Sequence, residues 1–165
     1  MTRRSIRLRG FDYSQPGVYY VAISTRNAQP VLGRLVKGRV ILSNTGLLVE
    51  RIWRTLPEHY PCLRLDLYHI MPTHLQGILV IRDQPWTGQQ EAFSRPTRSS
   101  LPTMIRCFKA ACTRELRCIT GDPRQVLWQG RYLERVIRNR AELASLRAFV
   151  RDNPLWHRLG DREHW

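Results

Sequence analysis

Acidic side chains are the scarce class in this sequence: 13 Asp and Glu stand against 27 Lys and Arg, for a net charge of +14 and a pI near 10.9. Such an excess leaves the fold open, but it favours phosphate-rich partners and fast, salt-sensitive association over a merely solvated basic surface. Long apolar runs are missing as well. No stretch approaches the roughly 18 residues of a membrane span, and the basic start Thr2 to Arg9 is not followed by the apolar run of a secretory signal. Cysteine pairing is the third absence. None of Cys62, Cys107, Cys112 and Cys118 forms a C-x-x-C pair, and the last three lie on one predicted helix. These spacings suit neither a zinc knuckle nor a disulfide framework, so reduced thiols in a cytoplasmic protein are expected. A length of 165 residues corresponds to one domain over 1–165, able to bury roughly 70% of its unfolded surface without a staple.

The chain then reads as alternating strands and helices. A basic arm over residues 1–10 precedes a turn at Gln15-Pro16-Gly17 and a β-branched, aromatic strand from Val18 to Ser24. Val31–Val36 and Arg39–Leu42, joined at Lys37-Gly38, predict a hairpin. Ser43 or Asn44 caps a helix with Leu47, Leu48, Ile52 and Trp53 on its apolar side, and Leu56-Pro57 is expected to end it. Leu63, Leu65 and Leu67 alternate with polar partners, as a half-buried strand requires. After Met71-Pro72-Thr73, the strand from His74 to Ile81 is apolar on both faces beyond Gln76, which suits the middle of a sheet. Residues 83–100 have the composition of a mobile loop. Leu101, Ile105, Phe108, Cys112, Leu116 and Ile119 mark an amphipathic helix with Arg106, Lys109, Arg114 and Arg117 on its other faces. A strand over about 126–137 follows, and Asn139 to Glu142 forms a capping box for a last helix that Asn153-Pro154 is expected to close. This order implies an α+β fold: an antiparallel sheet with helices packed on one face.

Several groups of residues could carry chemistry, each with a plainer reading beside it. His74 and Gln76 are two apart on a strand, so an imidazole nitrogen and an amide oxygen leave the same face and could hold a divalent cation; a His-x-Gln at a strand terminus is also a common hydrogen-bonded end. Phe149 and Asn153 are one helical turn apart, beside the core stripe of Leu143, Leu146 and Val150. Asn153 could add an oxygen ligand or simply stop the helix. Trp128, Gln129 and Arg131 with Tyr132, and the pair Tyr19-Tyr20, could stack on unpaired bases or pack in the core. Arg106 and Lys109 could clamp phosphate or form a solvated helix face.

Taken in order, Arg4 to Tyr13, Met71 to Leu79, Phe108-Lys109, Trp128-Gln129 through Ile137-Arg138-Asn139, and Asn153-Pro154 resemble the HUH-type single-tyrosine transposases, close to the REP-associated branch. The resemblance implies a ferredoxin-like sheet and Mg²⁺ or Mn²⁺ at a histidine pair. It also implies nicking of single-stranded or hairpin DNA by a helix tyrosine, through a 5′-phosphotyrosine that stores the bond for rejoining. It places His74 as the first metal ligand, Leu75 at the bulky apolar position and Asn153 at the third ligand. It also implies DNA contacts from Arg4, Arg7, Arg9, Arg106, Lys109, Trp128, Gln129, Arg131 and Arg138, a nucleoid-associated location, no membrane and a possible homodimer.

The sequence departs from the pattern twice. Gln76 stands where the second histidine belongs, which keeps an oxygen ligand but weakens the site. Phe149 stands where the tyrosine belongs, and a phenyl ring cannot form a phosphoester. The expectation is therefore a transposase-class DNA-binding protein with impaired strand transfer. The alternative is a nickase that uses a substitute nucleophile, with Tyr132 as the nearest candidate and Tyr68 as another.

Overall fold

The computed structural model describes residues 15–83 and 100–156. In chain order the elements are β1 (Gly17–Ser24), β2 (Gly33–Val36), β3 (Arg39–Leu42), α1 (Asn44–His59), β4 (Leu63–Met71), β5 (His74–Ile81), α2 (Leu101–Thr120), β6 (Leu133–Ile137) and α3 (Arg140–Trp156). The basic arm at 1–10, and residues 84–99 of the expected loop, lie outside the described residues.

Local chemistry accounts for most boundaries. Lys37 and Gly38 both take positive φ (48° and 79°), the turn geometry that matches the twist of the β2–β3 hairpin. Ser43 caps α1, its side chain accepting from Gly46 N–H at 3.0 Å. Ser100 caps α2, and Gly121 closes it at φ 69°. The box at the start of α3 forms with a variation. Asn139 accepts from Glu142 N–H at 2.8 Å, while the Glu142 carboxylate reaches past Asn139 to Arg138 N–H at 2.9 Å.

Three boundaries depart from expectation. Proline ends neither α1 nor α3: Pro57 lies inside α1, and α3 continues through Pro154 to Trp156. In α1 the buried Ile52, Trp53 and Leu56 anchor the last turn, and Tyr60 N–H bonds Leu56 O, so packing offsets the bond that proline cannot make. The strand expected over 126–137 is confined to β6, with only an isolated bridge between Trp128 and Thr25 upstream. The Lys109 ammonium binds the carbonyls of Gln129 and Gly130, which draws that stretch toward α2 instead.

The sheet order is β4-β5-β1-β6, with every neighbouring pair antiparallel. With α1 between β1 and β4, and α2 between β5 and β6, this is the ferredoxin-like βαββαβ arrangement. The two faces of the sheet are unlike. Tyr19, Val21, Ile23, Leu75, Leu79 and Ile81 meet Trp53 of α1 and Phe108 of α2 in the main core. Tyr20, Ile78 and Ile137 point the other way and meet Val150 of α3. The expectation of helices on one face therefore holds for α1 and α2 only. β1 and β5 are apolar on both faces, so both faces must be covered, and α3 covers the second.

Candidate functional site

The site grows from the register of β5. His74 lies opposite Ser24 of β1, and Gln76 opposite Ala22. On the other side, β4 sets Met71 opposite His74 and His69 opposite Gln76. Directly paired residues share a face, so all of these point to the α3 side of the sheet.

Gln76 is fully buried. Its Oε1 accepts from the Tyr20 hydroxyl at 3.0 Å, and its Nε2 is buried with no hydrogen-bond partner among the described residues. Burial pushes the Tyr20 phenol well above its ordinary pKa, so the hydroxyl stays protonated and holds one end of the carboxamide. Thr73 Oγ1 lies 3.2 Å from His74 Nδ1 and holds that ring by one edge. His69 is half-buried, and desolvation lowers its pKa, favouring the neutral imidazole that can act as a ligand.

From α3, Leu143, Leu146 and Phe149 pack on the small cluster of Tyr20, Ile78, Ile137 and Val150. The structure thus brings His74, Gln76 and Phe149 to one face, with Phe149 packed on the group that includes the tyrosine holding Gln76. The backbone of Asn153 follows one turn later in α3; its side chain lies outside the described residues. No group of three His, Cys, Asp or Glu side chains able to hold a metal gathers among the described residues, so a cation here depends on the Gln76 carboxamide. The residues fit one: an amide carries its oxygen and nitrogen interchangeably. Turned over, Gln76 would donate to the Tyr20 oxygen and present its oxygen at the unpartnered end.

The tyrosines weighed as substitute nucleophiles are on the other face, which corrects the expectation for Tyr132. Its hydroxyl donates to Glu134 at 2.5 Å, Glu134 lies opposite Val21, and the Tyr132 ring packs on the α1/α2 core. That packing, just ahead of β6, keeps it away from the His74 side. Tyr68 lies opposite Gly77 and its hydroxyl meets Arg54 at 2.6 Å and Glu50 at 3.2 Å, again on the α1 side.

The expected DNA contacts divide. Arg106, Gln129, Arg131 and Arg138 are exposed. Trp128 is only 4% exposed and packs against Phe108 with ring centroids 5.8 Å apart; with Tyr19 and Tyr20 it belongs to the core and offers no stacking platform. Lys109 binds two carbonyls, at 2.5 Å and 2.9 Å, and serves as a loop clamp. Arg4, Arg7 and Arg9 lie outside the described residues. Sequence reasoning missed an open cleft between α2 and residues 121–130, lined by Lys109, Arg114, Arg117, Trp128 and Gly130. The run of basic residues on α2 was its only sequence signal.

A protein of Haemophilus influenzae (strain Rd), described as uncharacterized, is 30% identical over 163 residues, which cover 93% of this chain and 89% of that one. The chain belongs to the family of that protein. No family model matches the sequence. Among solved structures, the REP-associated tyrosine transposase bound to a REP hairpin has a TM-score of 0.60 at 15% identity, covering 94% of this chain and 74% of that one. A candidate transposase from Deinococcus radiodurans R1 has a TM-score of 0.51 at 16% identity, covering 90% and 97%. The fold is that of the HUH-type tyrosine transposases. Among the described residues, no helix of this fold is long and apolar enough to cross a membrane.

Proposed function

We propose that the chain binds single-stranded or hairpin DNA, holds a divalent cation (Mg²⁺ or Mn²⁺) on the α3 side of its sheet, and retains the strand without cutting it. The observation that carries this reading is the shared face: His74 and Gln76 of β5 lie on the side of the sheet that α3 covers, and α3 presents a phenyl ring at Phe149. The protein that shares this fold and is bound to a REP hairpin makes a folded DNA strand the natural ligand to test, and the net charge of +14 supplies long-range attraction for it.

His74 offers an imidazole nitrogen and Gln76 a carboxamide oxygen steadied by Tyr20. A cation held there would polarise a phosphate oxygen. Arg114 and Arg117 in the cleft beside α2, together with the exposed Arg106, Arg131 and Arg138, would neutralise phosphates along the strand. Phe149 has no oxygen to attack phosphorus, so the covalent half of the family's chemistry is missing.

Incubation with a labelled hairpin and Mn²⁺, followed by denaturing electrophoresis, tests the reading. The native chain should shift the hairpin in a native gel yet leave no denaturation-resistant adduct, whereas Phe149→Tyr should gain one. An adduct formed by the native chain, or no hairpin binding at low salt, would refute the proposal.

A further inference from the structure

We propose that His69 is a ligand of the same cation, so that the site is His69, His74 and Gln76 drawn from two adjacent strands. This rests on the cation site proposed above and adds to it a residue outside the His-x-Gln segment.

The argument is one of register. From Leu63 to Leu65, β4 pairs with β5 so that Leu65 faces Leu79. Continued unchanged, that register would set Tyr68 opposite Gln76 and His69 opposite Leu75, in the main core. A β-bulge between Leu65 and Tyr68 inserts one extra residue. Beyond it, His69 is opposite Gln76 and Ile70 opposite Leu75. A one-residue slip moves every following side chain to the other face, and a bulge is a common device for re-aiming a side chain beside a functional site. Here it brings a second imidazole to the α3 side, directly across from Gln76.

The surroundings fit a ligand cluster. Paired Cβ atoms lie about 4.5–5.5 Å apart and diagonal neighbours within about 7–8 Å, so His69, Gln76 and His74 form a compact triangle. On the β1 side their neighbours are the short Ala22 and Ser24. Gln76 supplies the independent sign: a fully buried carboxamide with one end fixed by Tyr20 and the other without a partner among the described residues. Two imidazoles and one amide oxygen favour borderline cations such as Co²⁺ or Zn²⁺ over Mg²⁺.

Co²⁺ titrated into the full chain, read by proton NMR, provides the test, because each coordinated imidazole with an N–H gives its own hyperfine-shifted exchangeable resonance. Two such resonances are expected in the native chain, and one in His69→Gln and in His74→Gln, with Co²⁺ affinity falling on the order of tenfold or more in each. Circular dichroism of the metal-free variants checks that they fold. Should His69→Gln fail to fold, His69→Asn takes its place and the native chain's count still decides. A single resonance in the native chain, lost in His74→Gln, overturns the role of His69 and leaves the His74–Gln76 reading intact. Two resonances that persist in His69→Gln also overturn it. No shifted resonance at saturating Co²⁺ removes the cation site itself.

Discussion

Replacing Tyr20 with phenylalanine isolates the contact that positions Gln76. The ring is 2% exposed and packs in one cluster with Ile78, Ile137 and Val150; phenylalanine preserves that packing and removes one oxygen. What is lost is the 3.0 Å bond to Gln76 Oε1. The carboxamide, fully buried and already unpartnered at Nε2, would then have no partner at either end. Leaving such a group unsatisfied costs about 1–3 kcal/mol, and at this chain length each kcal/mol moves the melting midpoint by roughly 2–4 °C. The metal-free Tyr20→Phe protein should therefore melt about 2–12 °C lower, with its urea midpoint reduced and its m-value unchanged. Removing both partners restores consistency, so Tyr20→Phe/Gln76→Leu should recover most of the loss. A single variant within ~0.3 kcal/mol of the native protein, or a double variant as unstable as the sum of the two singles, would refute the reasoning.

Four further outcomes are expected. Hairpin affinity should fall on the order of 10³-fold between 50 and 200 mM salt if about six phosphates are contacted, and a flat response in filter binding would count against the basic surface. Lys109→Met should lower stability by about 1–2 kcal/mol, because the carbonyls of Gln129 and Gly130 lose their donor; it should leave the salt slope unchanged, whereas Arg106→Ala should reduce it by about one. Gly46→Ala should destabilise by about 3 kcal/mol or more in urea unfolding, since a Cβ at that position would lie 1.9 Å from the Leu32 carbonyl oxygen. Alkaline titration should erode stability through Tyr20. Its folded pKa is raised above the ordinary 10.0, so the stabilisation is complete below about pH 10 and is lost as pH climbs from there toward the folded value. Thermal midpoints measured from pH 8 to 11 should fall less steeply for Tyr20→Phe.

The sequence carried the sheet and its order of elements well, because β5 is apolar on both faces and α2 repeats its core residues every three to four positions. The His74–Gln76 pair and the seam of Leu143, Leu146 and Val150 were equally legible, since both follow from strand and helix periods. Three things were not. The side of the sheet that α3 occupies depends on tertiary packing: apolar residues on both faces of a strand do not say which helix covers which. The bulge in β4 leaves no mark in the alternation of Leu63, Leu65 and Leu67, and so His69 went unnoticed. The fates of Trp128 and Lys109 depend on partners far away in the chain, Phe108 for the indole and the 129–130 carbonyls for the ammonium. Tyr132 looked near in sequence, yet its ring packs on the main core, away from His74.

The unequal faces of the sheet bear on how such a chain can change over time. Thermodynamic stability resides mainly in the layer beneath α1 and α2, where Trp53, Phe108 and Trp128 interlock, while the residues suited to chemistry sit under α3 on a much thinner apolar seam. A change of side chain at position 149, on that thinner seam, should therefore cost folding less than one in the layer beneath α1 and α2. On the reading proposed above, a single-base change between phenylalanine and tyrosine codons at position 149 would switch the covalent chemistry while leaving the fold intact.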